Sequence, residues 1–90
     1  MLRKLKKREW RQVARHFRSV VFHLNKMRAI LVKTCDRRAA FSLNVLSKSM
    51  TATKGWIISK ADDQDKNHAK LNSILDVKID RWVMPEDGKP

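Results

Sequence analysis

The chain has 90 residues, of which 42% are hydrophobic and 33% charged, with two Gly, two Pro and one Cys; this allows at most one small domain and excludes a low-complexity or disulfide-framework chain. Its formal charge of +12 is lopsided: residues 1–60 hold sixteen Lys and Arg against only Glu9 and Asp36, whereas residues 61–90 hold five basic and seven acidic groups. A stretch so positive repels itself and gains most against a polyanion or an anionic surface, which is information about partners and not about catalysis.

The opening run from Met1 to Phe17 is basic enough for a mitochondrial presequence, but it lacks the apolar core and small-residue cleavage site of a secretory signal. Cys35 has no pairing partner and no Asn stands in a glycosylation sequon, so the expected location is intracellular, mitochondrial or cytoplasmic, and not secreted. The longest apolar-leaning run, Val20 to Val32, is interrupted by His23, Asn25, Lys26 and Arg28. It is too short and too polar to span a bilayer, so no transmembrane segment is expected.

From Trp10 the apolar residues recur at steps of three and four through Val13, Phe17, Val20, Leu24, Met27 and Leu31. That 3.5-residue repeat predicts a helix with a seam that needs a neighbour. No Gly or Pro occurs before Gly55, and the stripe continues through Cys35, Ala39, Leu43, Leu46 and Met50. The reading preferred on this absence of breakers is one continuous helix of roughly 68 Å at 1.5 Å per residue. Its rival is a break at Thr34 to Asp36, with Asp36 capping a second helix although Arg37 and Arg38 have the wrong sign for a helix N-terminus. Gly55 is expected to end the helix as a left-handed cap, with Trp56, Ile57 and Ile58 extended after it. Asp62, Asp63 and Asp65 suit the start of a further helix, while Leu75, Val77 and Ile79 alternate with Asp76, Lys78 and Asp80 at the period of a strand. Pro85 closes the ordered part.

The expected fold is therefore mostly α. A long amphipathic N-terminal helix covers about 4–50 with 34–36 as the place for a kink, an extended linker covers 51–61, a shorter helix covers about 62–76, and a short strand falls within 75–83. By role the chain divides into a basic arm (1–18), a protein-packing helix (19–54), a C-terminal packing segment (55–84) and a tail (85–90).

The basic arm supplies the first candidate site. Arg3, Lys4, Lys7, Arg8, Arg11, Arg15 and Arg18, with Lys6, form a positive face opposite Trp10, Val13 and Phe17. Such a face suits phosphates, giving affinity that is independent of sequence and sensitive to salt. No aromatic RNA-reading strand or zinc knuckle accompanies it, so recognition would rest on charge and shape. Against this reading, folding of the acidic cluster Asp62, Asp63 and Asp65 over part of the basic helix would neutralise it and weaken the case for a polyanion. The second candidate is the helix from Val20 onward, apolar nearly all round. Trp10, Phe17, Phe22, Leu24, Met27, Ile30 and Leu31 form the expected protein interface, with self-association through the heptad seam as the simpler rival. Trp82 is expected to pack back on the long helix.

No catalytic, metal or cofactor site is expected. His16 and His23 stand seven residues apart, about 10.5 Å along a helix at 1.5 Å per residue, too far to share an ion. Asp63, Asp65 and Asn67 match the opening of a calcium loop, but its Gly falls on His68 and its Glu on Ile74. No nucleophile motif or glycine-rich phosphate loop is present, and a chain this small cannot wall off a cleft of its own. The leading expectation is a non-enzymatic subunit of a larger assembly, with residues 3–18 on structural RNA in a ribosome-like ribonucleoprotein and residues 20–50 against protein neighbours. One alternative is a protein-only structural or adaptor subunit of a respiratory, membrane-associated or cytoskeletal complex, lying on acidic protein or, with Trp10 and Phe17 as a wedge, on lipid headgroups. Another is a calmodulin-type target with Phe17, Val21, Leu24 and Ile30 as anchors.

Overall fold

A computed structural model describes residues 4–62 and 69–83 with their side chains, and the backbone of 63 and 64. Three helices carry the fold: α1 (Lys7–Leu31), α2 (Arg37–Gln64) and α3 (Ala69–Leu75), with one 3-10 turn, Val32–Thr34, between the first two. The fold is mostly helical with a long N-terminal helix, as the periodicity requires, and no strand occurs among the described residues.

The helix does not run on to Met50. At the end of α1 the Thr34 hydroxyl donates to the Leu31 carbonyl at 2.7 Å and accepts from the Asp36 amide at 3.2 Å. Cys35 takes a left-handed conformation at φ 53°. Asp36 Oδ1 then accepts from the amides of Arg38 at 2.8 Å and Ala39 at 3.3 Å, the N-cap arrangement that satisfies otherwise orphaned donors. Local side-chain bonds thus close one helix and open the next without Gly or Pro, and the unfavourable sign of Arg37 and Arg38 does not prevent it. The compensation is burial: a single continuous rod would leave both apolar seams in water, and the hairpin lays each on the other.

Those seams run antiparallel. At one end Trp10, Ala14, Phe17 and Val21 of α1 pack with Ile57 and Ala61 of α2 and with Leu71 and Leu75 of α3; at the other, Leu24 packs with Ala40, Leu43 and Trp82. The α1 seam differs from the expected line at alternate positions. Trp10, Phe17 and Leu24 are buried, but Ala14 and Val21 fill the steps between them, while Val13 is half-buried and Val20 and Met27 are exposed. Steps of three-then-four and four-then-three choose opposite flanks of the same helix, and the chosen flank is the one that α3 and the segment after it cover.

Further expectations are overturned. Gly55 lies inside α2, and the supposed extended linker 51–61 is helical. An interior Gly costs a helix about 1 kcal/mol relative to Ala, but stopping there would expose Ile57 and Ala61, which are almost wholly buried against α1. The segment expected as a helix over 62–76 is instead the last turn of α2 and the short α3, with 65–68 outside the described residues.

Residues 76–83 also depart from expectation: in place of the short strand they form a strap that is neither helix nor sheet. The Asn25 side chain of α1 donates to the Lys78 carbonyl at 2.9 Å and accepts from the Asp80 amide at 3.1 Å. The Asn44 side chain of α2 donates to the Trp82 carbonyl at 2.6 Å and accepts from the Trp82 amide at 2.8 Å. Ser47 Oγ donates to the Asp80 carbonyl at 2.9 Å, and Arg28 Nη2 meets Asp80 Oδ2 at 3.0 Å. Every one of these main-chain groups belongs to an even-numbered residue of the strap. Two asparagines and a serine replace the neighbouring strand, so the strap crosses the α1–α2 groove and carries Trp82 into the core.

Candidate functional site

The antiparallel packing of α1 fixes which residues face away from it. Arg8, Arg11, Arg15, Arg18, Phe22 and Lys26 follow one another at steps of three and four, a line that stays on one side of a helix and lies away from the buried Trp10, Phe17 and Leu24. Arg8, Arg15, Arg18 and Lys26 are exposed and Arg11 is half-buried. From Arg8 to Arg18 the four guanidinium groups cover about 15 Å of axis at 1.5 Å per residue.

Lys4 and Lys7 are exposed at the N-terminal end of this line, and Arg3 lies outside the described residues. There the helix dipole adds its own positive end to the charge. The Glu9 carboxylate of the first turn is turned back onto the Lys6 amide at 2.9 Å, closing the helix start. Arg18 Nη1 donates to the Ile74 carbonyl at 3.2 Å, tethering the ridge to the end of α3. Phe22 interrupts the charges with an exposed ring, 53% accessible, carrying Lys26 Nζ at 4.9 Å from its centroid and the His23 ring at 5.5 Å. At the far end Lys33, Arg37 and Arg38 are exposed around the turn, a group the sequence reading did not assign to the site; its signal was the basic pair following a capping Asp.

Among the described residues no carboxylate pairs with Arg8, Arg11 or Arg15. Asp36 is engaged as a cap, Asp80 holds Arg28, and Asp62 is exposed with no ion pair among the described residues. The expected neutralisation of the arm by Asp62, Asp63 and Asp65 therefore has no support at Asp62, and the side chains of the other two lie outside the described residues.

The expected protein-interface set is divided by the fold. Trp10, Phe17 and Leu24 face the chain's own core and Leu31 is half-buried beside it, whereas Phe22, Met27 and Ile30 remain exposed, Ile30 at 66%. Of the calmodulin-type anchors, Phe17, Val21 and Leu24 are buried internally and only Ile30 is accessible, so α1 would have to leave the bundle to be gripped that way. Trp82 packs inward.

A second exposed surface escaped the sequence reading. Phe41, at 72% accessible, lines a groove of about 820 Å³ with Val45, Lys48 and Ala52 of α2 and with Ile79 and Arg81 of the strap. Its spacing on α2 repeats that of the core stripe one flank away, so it is legible only once the buried flank is known. Among the described residues no group of three or more His, Cys, Asp or Glu is placed to hold a metal ion, and no helix is long and apolar enough to cross a membrane. Comparison with protein-family models, with curated proteins and with solved structures finds no match to this chain.

Proposed function

We propose that this chain is a non-enzymatic, basic helical subunit of a larger assembly, with the outer ridge of α1 lying on the phosphates of structural RNA in a ribosome-like ribonucleoprotein and its exposed apolar residues covered by protein neighbours. The observation that carries the reading is the ridge itself: Arg8, Arg11 and Arg15 stand on one face with no acidic partner among the described residues. An array of unpaired guanidinium groups on a rigid helix is organised for bidentate phosphate contact and costs little to desolvate further. Neighbouring protein is invoked because Phe22, Met27 and Ile30 of α1 stay exposed after the chain has made its own core.

The test is binding of the full chain to a structured RNA hairpin as salt is raised. Four phosphate contacts give a slope of log affinity against log salt of about −3. The R8E/R11E/R15E variant should lose most of the affinity and flatten that slope; unchanged binding, or retention of the protein on its native assembly after nuclease digestion, defeats the RNA reading.

Phe22 favours a second reading, because an exposed ring among cations suits an acidic protein surface or anionic headgroups as well as RNA. That reading predicts survival of the complex after nuclease treatment and a loss of affinity on Phe22→Ala as large as on Arg15→Glu.

A further inference from the structure

We infer that the face of the α1–α2 hairpin opposite the strap is a self-association surface, on which a second copy of the chain seats to complete an antiparallel four-helix bundle. The inference rests in part on the reading that protein covers Met27 and Ile30, and it is independent of any contact between the arginine ridge and RNA.

Side-chain bonds settle which face the strap covers. Asn25 of α1 and Asn44 of α2 both bond to it, and each stands on one flank of the buried line of its helix. At about 100° per residue, Val13, His16, Val20, His23, Met27 and Ile30 lie on the other flank of α1, and Ser42, Leu46, Ser49 and Thr53 on the other flank of α2. Both stripes advance by steps of three and four, so each keeps to one side of its helix. In an antiparallel pair the two flanks away from the strap form a single face. Val20, Met27, Ile30 and Leu46 are exposed on it and Val13 is half-buried.

Three observations select a second copy as the occupant. The first is charge. None of the residues in the two stripes is Lys, Arg, Asp or Glu, in a chain of which 33% is charged. An acidic or basic partner finds nothing here to pair with, whereas the same uncharged face on another copy meets its own chemistry. With α2 on one side of α1 and the partner's α2 on the adjacent side, the side left outward carries Arg8, Arg11, Arg15 and Arg18. The densest charge of each copy therefore points away from the other.

The second is fit. A two-fold axis parallel to the helices lays α1 of one copy along α2 of the other and preserves height. Leu24 packs with Leu43, and the Trp10 ring stands 6.2 Å from that of Trp56. Between these two levels Val20 is level with Leu46, Val13 with Thr53, and His16 and His23 with Ser49 and Ser42. Across the axis apolar groups meet apolar groups, since the Thr53 hydroxyl is turned back onto the Ser49 carbonyl at 2.8 Å, and each bulky imidazole meets a small hydroxyl.

The third is size. From Val13 to Ile30 the face runs about 25 Å at 1.5 Å per residue, and two helices side by side are about 20 Å wide. The footprint is then about 500 Å² per copy, or about 1,000 Å² in all, which reaches the lower bound of a specific interface.

The experiment is sedimentation equilibrium of the full chain. A mass of twice 10.6 kDa is expected, with a Kd in the micromolar range that weakens at least about tenfold on Val20→Glu and on Leu46→Lys. Both positions are exposed, so the helical circular dichroism should not change. An equimolar mixture of the two variants should recover a dimer, because the two-fold sets position 20 of one copy against position 46 of the other. Raising salt should strengthen pairing by screening two copies of like charge, whereas it weakens phosphate contact, so pairing and RNA binding can fail separately. A monomer at every concentration, dimers indifferent to both substitutions, or no recovery in the mixture overturns the inference. So does a dimer that Phe41→Arg dissociates and Val20→Glu does not, which would move the contact to the strap side of α2.

Discussion

Replacing Asn44 by alanine tests the central feature of the fold, the holding of the strap by side-chain amides. The side chain makes two hydrogen bonds to Trp82, at 2.6 and 2.8 Å, in a part-buried setting. Each is worth about 1 kcal/mol net, and each main-chain group left unpaired and dry adds about 1–3 kcal/mol. Partial access of water to the vacated site reduces the second contribution, so the expected loss is about 2–4 kcal/mol. A domain of this size has roughly 5–13 kcal/mol of total stability at 0.05–0.15 kcal/mol per residue, so a single amide should account for a large share. Urea unfolding followed by circular dichroism and tryptophan fluorescence measures the loss, and Tm should fall by about 10 °C or more. Hydrogen exchange supplies the site-specific reading: the Asp80 and Trp82 amides should be protected and those of Ile79 and Arg81 should exchange fast, with Trp82 protection lost in the variant. A loss below about 0.5 kcal/mol, the range of an ordinary surface change, or equal exchange at the four amides would refute the arrangement.

The remaining expectations are read by the same unfolding measurement. Trp10→Ala should cost about 3–5 kcal/mol because the indole is buried in the main cluster, whereas Trp56→Ala, whose ring lies 6.2 Å away but is 56% exposed, should cost about 1 kcal/mol or less. Comparable losses would show that the two indoles are equally sheltered. Gly55→Ala should stabilise by up to about 1 kcal/mol, since the position is mid-helix with open space around a Cβ; destabilisation would place the end of α2 there after all. Asp36→Ala should cost about 1 kcal/mol through loss of the cap on α2, and an unchanged midpoint would mean that the turn is set by burial alone.

The helical content and the line Trp10, Phe17, Leu24 were legible in the sequence because the 3.5-residue spacing and the absence of Gly and Pro agree. The break at Thr34 to Asp36, with Asp36 as cap, was legible only as the rival to a continuous helix, because the choice between them depends on a gain that exists only when both seams are counted together. The same holds at Gly55, where a local preference for stopping is outweighed by Ile57 and Ala61 further on. The alternation after Leu75 suggested a strand that does not form, because the main-chain groups there are taken by the side chains of Asn25 and Asn44, more than thirty residues away, which local periodicity cannot reveal. For the candidate site, the arginine ridge was readable because charges at steps of three and four share a face whatever the packing. The division of apolar residues between inside and outside was not, because Val20 and Val21 differ only in which flank a later segment covers.

The way the strap is anchored bears on how the molecule is made. Its bonds to Asn25 and Arg28 join residues separated by more than fifty positions, and during synthesis Trp82 leaves the ribosome after every group it shelters. Until then α1 and α2 have only each other to cover Leu24 and Leu43, and loop closure over so long a span is slow compared with helix formation. The nascent hairpin therefore waits with an apolar cleft ajar, and whatever first occupies that cleft, a chaperone or an assembly partner, competes with the chain's own strap for the same place.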